Sequence, residues 1–193
     1  MTNGLYGEMK QNEFYASLEQ SLVDSKSEFI DSAYYKAFPH LTAIKVVEDK
    51  VLQKRGIDKI LFIGEKQIFV DEKIRKTEKD YPDILLEEYS NEARKTIGWM
   101  GRDKYTDYIA YIKFYQKKMY LLPFLLLQLA WRQNYFDWKN RFGVCPAKNY
   151  DRNTKEYLYT TTNIPVPIPV LYKSMWDCSQ IIISKEASHD NSD

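Results

Sequence analysis

Two apolar runs separated by one tight turn constrain this chain more than any other feature. Ile57-Asp58-Lys59-Ile60-Leu61-Phe62-Ile63 and Gln67-Ile68-Phe69-Val70-Asp71-Glu72-Lys73-Ile74 flank Gly64-Glu65-Lys66. β-Branched and aromatic residues dominate both runs, and a glycine-bearing turn between such runs is the signature of a β-hairpin. Apolar side chains fall at odd and even positions alike, so both strands are expected inside a sheet that is covered on its two faces. The hairpin also decides where its charges go. In an antiparallel pair the start of the first strand meets the far end of the second, which carries Asp58 towards Asp71. Residues two apart on a strand share a face, which sets Lys73 beside Asp71, about 7 Å along the strand.

The rest of the chain supplies helices and further strands around this hairpin. Phe14, Leu18 and Leu22, then Phe29, Ile30, Tyr34 and Phe38, recur at helical spacing, and Pro39 is expected to end the second helix. Ala43 to Val47 and Ile84 to Tyr89 read as strands, and Thr106 to Phe114 with Lys118 to Leu122 as a second hairpin. Pro123 suits the first position of a long buried helix over Phe124 to Phe142. Tyr157 to Thr162 is a strand candidate. Ile164 to Pro169 holds three prolines in six residues, so an extended edge or a loop is expected there rather than a central strand. The fold class is therefore α/β (α+β). With 193 residues, 44% of them apolar, and neither a repeat nor a linker, residues 1–184 are expected to form a single domain, with 185–193 a disordered tail.

Composition removes several function classes. No run approaches the ~18 apolar residues of a membrane span, and Met1-Thr2-Asn3-Gly4 lacks the basic-then-apolar pattern of a secretory signal. A soluble, cytoplasmic (intracellular) protein with no membrane partner is the expectation. Two cysteines and two histidines make neither a disulfide framework nor a structural zinc site. The net charge of +1 gives no overall signature of a nucleic-acid binder, yet the charge is uneven. Arg94 to Lys118 holds seven basic and two acidic residues, Arg132 to Lys155 six and two, and Met1 to Asp31 two and six. A basic face is one reading of this pattern, and ordinary solvated lysines and arginines are the other.

Metal-dependent phosphodiester cleavage needs carboxylates converging on Mg²⁺ or Mn²⁺ and a cation near the attacked phosphorus. An acid two residues before a lysine occurs five times here, at Glu8/Lys10, Asp24/Lys26, Glu48/Lys50, Asp71/Lys73 and Asp137/Lys139. Only Asp71/Lys73 closes a β-like run, and only it follows a strand opened by an acid behind a glycine, Gly56-Ile57-Asp58. Burying such charges is costly unless a cation compensates them. The plain alternative makes Asp58 and Asp71 turn-capping residues, with Lys73 in a surface ion pair.

Helices, then Gly56-Ile57-Asp58 opening a strand, a short turn, then Val70-Asp71-Glu72-Lys73 closing the next, resemble the PD-(D/E)XK nuclease superfamily with its restriction-endonuclease-like fold. The motif-bearing likeness runs from about Glu28 to Tyr89, and the Thr106 to Arg141 block is compatible with it. The resemblance implies an αβββαβ core, a central mixed β-sheet flanked by helices. It implies Asp58 and Asp71 as metal ligands for Mg²⁺ (or Mn²⁺) and Lys73 as the catalytic lysine. A glutamate from the first core helix is expected to join them: Glu28 is the choice, with Glu13 and Glu19 behind it. Gln53 is expected at the metal edge, positioning substrate.

The implied function is a metal-dependent nuclease acting on nucleic acid, with DNA the expected substrate. Arg94, Lys95, Arg102 and Lys104, around Trp99, are the candidate contacts to its backbone, and Trp99 either stacks on bases or anchors the core. Glu72 either pairs with a cation from a covering helix or, if the strand bulges, reaches the metal in place of Asp71. Of Glu87 and Glu88 at most one can join the metal site. A homodimer is compatible with cutting two strands, with Ile164 to Leu171 as candidate interface or core wrap. The alternative from another class is a non-catalytic nuclease-fold module that binds nucleic acid or protein.

Overall fold

The computed structural model describes residues 28–151 and 153–187, with side chains described as far as residue 180. The predicted helix carrying Phe14, Leu18 and Leu22, and the candidates Glu13 and Glu19, lie outside the described residues, as does 188–193 of the predicted tail. In chain order the elements are α1 (Glu28–Ala37), β1 (Ala43–Val46), α2 (Lys50–Lys54), β2 (Lys59–Ile63), β3 (Lys66–Arg75), β4 (Asp83–Asn91), β5 (Thr96–Ile97), β6 (Tyr108–Lys113), β7 (Lys118–Pro123), α3 (Phe124–Phe142), β8 (Cys145–Tyr150), β9 (Tyr157–Pro167) and α4 (Ile168–Ala187). The described chain is thus mixed α/β, with two sheets and four helices. It divides into two compact units, one within Met1–Glu78 and Lys104–Leu121, the other within Lys79–Asp103 and Leu122–Asp193. No described helix is long and apolar enough to cross a membrane.

The first unit is built on a five-stranded sheet of order β1-β2-β3-β6-β7. β2 and β3 are interior strands, as their two-sided apolar pattern predicts. Their connection is the two-residue turn Gly64-Glu65 between the paired Ile63 and Lys66. Gly64 takes φ +60 there, the left-handed geometry that a tight hairpin turn demands at its first position. β1 to β3 form an antiparallel meander, and β6 then lies parallel to β3 with Val70 beside Tyr108 and Asp71 beside Ile109. A parallel neighbour requires a crossover of a dozen or more residues. The αβββαβ expectation puts a helix in that crossover; residues 76–107 hold β4 and β5 instead, and these strands join the second sheet.

α1 forms where Ile30 and Tyr34, one helical turn apart, are both fully buried, with Glu28 and Asp31 in the first turn and Lys36 in the last complementing the helix dipole. It covers one face of the sheet, packing with Leu61, Val70, Ala110 and Ile112. The alternate side chains Ile60, Phe62 and Phe69 face the other way and pack with Val47, Leu52 and Ile57. Two-residue periodicity in β2 and β3 therefore sorts every side chain between an α1 face and an α2 face.

The second unit carries the sheet β5-β4-β9-β8, with α3 and α4 packed on each other and on β9. Its buried residues include Ile84, Leu86, Ile164, Val166, Leu171 and Trp138. The proline-rich segment is a strand rather than a loop: Pro165 pairs with Leu85 and Pro167 with Asp83 on β4. β8 ends opposite Asn163, so beyond that point β9 has one free edge. Two prolines spaced by two turn their nitrogens to the same edge, where no ladder bond is lost. Ile164, Val166 and Leu171 are buried in this unit, so the segment wraps its own core. Pro123 directly precedes α3 as its N-cap instead of taking the first helical position. Trp99 is 7% exposed and anchors a turn, its N–H donating to Glu87 Oε1 at 3.0 Å, which settles the choice between core and base stacking in favour of core.

Candidate functional site

The site grows out of the β2/β3 register. α2 starts at Asp49, whose carboxylate accepts from the N–H groups of Val51 and Leu52 at 2.7 and 3.3 Å, and it ends in a turn at Gly56 with φ +80. The chain then enters β2 through Asp58, whose N–H donates to Val70 O at 2.8 Å and whose carbonyl accepts from Val47 N at 2.9 Å. Lys59 pairs with Val70 where β2 begins, and Asp58, just ahead of it, brings its carboxyl within hydrogen-bonding reach of the Asp71 carboxyl. Asp71 shares the α2 face with Phe69.

Like charges directly opposite one another on neighbouring strands destabilise a sheet. Three groups answer that repulsion here. Asp58 Oδ2 accepts from Glu72 N–H at 2.8 Å. Lys73 Nζ donates to Asp71 Oδ1, and Lys104 Nζ donates to Asp71 Oδ2. Burial and the Asp71 charge push the Asp58 carboxyl up to about 7, against the opposing pull of Lys73. Burial would raise Asp71 as well, but Lys73 and Lys104 together hold it below the ordinary carboxylate value. Burial, with Lys73 nearby, brings the Lys104 ammonium down to about 8 although Asp71 opposes the shift. The cluster is one ionised carboxylate between two lysines, with a second carboxyl that takes up a proton near neutrality.

The upward shift of Asp58 has a sign that can be tested. A carboxyl whose pKa rises from 3.8 to about 7 on folding favours the folded state fully below 3.8 and loses that contribution as pH rises through about 7. Asp58→Asn is expected to remove the loss. In urea denaturation at pH 5 and pH 8, the wild type should fall in stability relative to the variant at the higher pH. Parallel pH profiles for the two proteins would show that Asp58 titrates normally.

The structure brings Asp58, Asp71, Lys73 and Lys104 together within the first unit. Glu28 is exposed in the first turn of α1, and α1 packs on the face of β3 opposite Asp71. Gln53 donates from Nε2 to Val47 O at 2.7 Å, beside the segment that leads to Asp58. Arg94, Lys95 and Arg102 belong to the second unit. There Arg94 N–H donates to Asn91 Oδ1, Lys95 lies over the Tyr89 ring, and Arg102 bonds Ile97 O and Ser90 Oγ at 2.8 and 2.9 Å. Glu88 is buried in the same unit with Tyr135 and Lys139, while Glu87 holds the Trp99 turn.

Neither expectation for Glu72 survives. The β3/β6 register runs unbroken through Asp71, Glu72 and Lys73, so no bulge turns Glu72 towards Asp58. Its partner from the covering helix is a tyrosine, not a cation: Tyr34 OH donates to Glu72 Oε1 at 2.8 Å, and the cation, Lys59 at 3.4 Å, comes from the neighbouring strand. Burial and the Glu72 charge hold the Tyr34 hydroxyl well above its usual pKa.

Two adjacent carboxylates suit a hard divalent ion that keeps much of its water, as Mg²⁺ does when bound through one or two carboxylates. They do not suit an all-protein cage: among the described residues no group of three or more His, Cys, Asp or Glu converges on a metal position. Lys104, expected among the contacts to the substrate backbone, is bonded to Asp71. Lys104 is brought to Asp71 by the parallel β3/β6 pairing and by Tyr105 N–H donating to Arg55 O at 3.0 Å, neither of which leaves a local signal in the sequence. No known protein family, curated protein or solved structure matches this chain.

Proposed function

We propose that this protein is a metal-dependent nuclease that hydrolyses phosphodiester bonds in DNA on a restriction-endonuclease-like core. The observation that carries the reading is the Asp58 carboxyl within hydrogen-bonding reach of Asp71, with Lys73 donating to Asp71. The strand course supports it: an antiparallel meander, then a parallel fourth strand, with α1 on the face away from Asp71.

Asp58 and Asp71 would hold Mg²⁺ or Mn²⁺. The bound ion would supply an activated water and charge stabilisation at phosphorus. The side chain of Lys73 is 28% exposed, so its ammonium is accessible to a phosphate while anchored by Asp71. An ammonium beside a carboxylate stays protonated, which suits neutralising the charge of the transition state better than removing a proton from water. Asp58 must be ionised to take part, and its raised pKa places that requirement near neutral pH.

A second reading has its own support. Two lysines already satisfy Asp71, which is what a non-catalytic nuclease-fold module binding nucleic acid or protein would retain. Cleavage separates the two. Supercoiled plasmid and single-stranded DNA should be cut with Mg²⁺ or Mn²⁺, and Lys73→Met should lower the rate by about 100- to 1,000-fold while Mn²⁺ still raises the melting temperature. If neither DNA nor RNA is cut and Mn²⁺ does not stabilise the protein, the non-catalytic module is the correct reading.

A further inference from the structure

Asp71 is held by two ammonium groups, and only Lys73 belongs to the strand motif. Lys104 approaches from the segment before β6, which is neither helix nor strand. Its side chain is 7% exposed, and its aliphatic stem runs across Gly56. A Cβ on Gly56 would lie 2.9 Å from Lys104 Cδ and 3.1 Å from Cγ. The turn that delivers Asp58 therefore leaves bare backbone where this one side chain passes.

An ammonium and a divalent cation on one carboxylate repel each other strongly at contact distance. Lys73 stands on β3, whereas Lys104 comes from a segment that is neither helix nor strand and takes the second oxygen of Asp71. We propose that Lys104 is a positioning residue that occupies a metal-binding oxygen of Asp71 until a divalent ion is bound, and that it competes with the ion for that oxygen. The inference rests on the nuclease reading, because it takes Asp71 as a metal ligand. Metal affinity is then set by a residue outside the motif.

Calorimetric titration of Mn²⁺ into the full chain tests it, using wild type, Lys104→Met, Lys104→Gln and Lys104→Arg. The two neutral variants are expected to bind Mn²⁺ about tenfold more tightly than wild type, and Lys104→Arg, which keeps the charge, to bind as wild type does. The glutamine variant, able to donate to Asp71, guards against loss of folding in the methionine one. If wild type binds Mn²⁺ and the neutral variants bind no better, Lys104 does not compete and the nuclease reading stands without it. Equal tightening in the arginine variant also overturns the competition. If none of the four proteins binds Mn²⁺, the nuclease reading falls, and this inference with it.

Discussion

Asp71→Ala is expected to lower metal-dependent DNA cleavage by about 1,000-fold or more, equivalent to a loss of ~4 kcal/mol of transition-state stabilisation. The substitution removes a proposed metal ligand and the one carboxylate that holds both Lys73 and Lys104. It leaves the two ammonium groups close together without their shared anion, and losing one partner of a buried ion pair costs about 3–5 kcal/mol of stability. Asp71→Asn keeps the shape and a hydrogen-bond acceptor while removing the charge, so it separates the two effects. Loss of cleavage in a folded Asp71→Asn protein that no longer gains stability from Mn²⁺ supports the assignment. Wild-type cleavage rates in that variant would remove Asp71 from the mechanism.

The second large effect is expected on the opposite face of the same two strands. Lys59 is fully buried, bonded to Asp31 at 2.7 Å and near Glu72 at 3.4 Å, with its ammonium over the Tyr34 ring at 5.2 Å. A lysine taken wholly out of water is tolerated because two carboxylates and an aromatic face surround it. Lys59→Met leaves Glu72 buried without its cation and is expected to cost about 3–5 kcal/mol, a fall of roughly 10 °C in melting temperature for a chain of this size. Replacing the network as a whole, Lys59→Met with Glu72→Leu and Tyr34→Phe, is expected to recover most of that loss, because no buried polar group is then left without a partner. Melting curves of the single and triple variants check both statements. A triple variant no more stable than the single one would show that the network stabilises beyond the satisfaction of its own charges.

The two networks share a backbone. Asp71 and Glu72 are adjacent on β3, where alternation sends them to opposite faces, and of the adjacent Asp58 and Lys59 the first lies by Asp71 and the second by Glu72. The Glu72 amide links them by donating to Asp58 across the strands. Glu72 itself closes against Tyr34 of α1, which fixes the covering helix on the face away from Asp71. The acid between the two motif residues, unexpected from the sequence, is thus a helix-docking group.

Much of this site was legible in the residues because a hairpin is local. Gly64 and the β-branched runs on either side specify the turn, the turn specifies the register, and the register places Asp58 against Asp71 with Lys73 on the same face. α1 was legible from Ile30 and Tyr34 at helical spacing, and α3 from the apolar content of Phe124 to Phe142. Contacts between segments distant in the chain were another matter. Nothing in the residues before β6 announces that Tyr108 will lie beside Val70, and without that pairing Lys104 reads as a contact to a substrate backbone and not as a partner of Asp71. The crossover from β3 to β6 has helical and strand-bearing solutions, and β4 was taken into a second sheet by pairing with β9, more than seventy residues further on, with β5 joining at the free edge of β4. Proline in Ile164 to Pro167 argues against a strand only where ladder bonds are needed on both edges, and whether β8 extends that far is a property of the sheet. By itself, then, the sequence determined the hairpin, its register and the acidic pair, because turn chemistry and two-residue periodicity act over a few neighbouring residues. The tertiary structure alone decided which lysines meet that pair, which helix covers its reverse face and which strands leave for the second sheet, because those contacts depend on parallel pairing and burial between segments that no local signal connects.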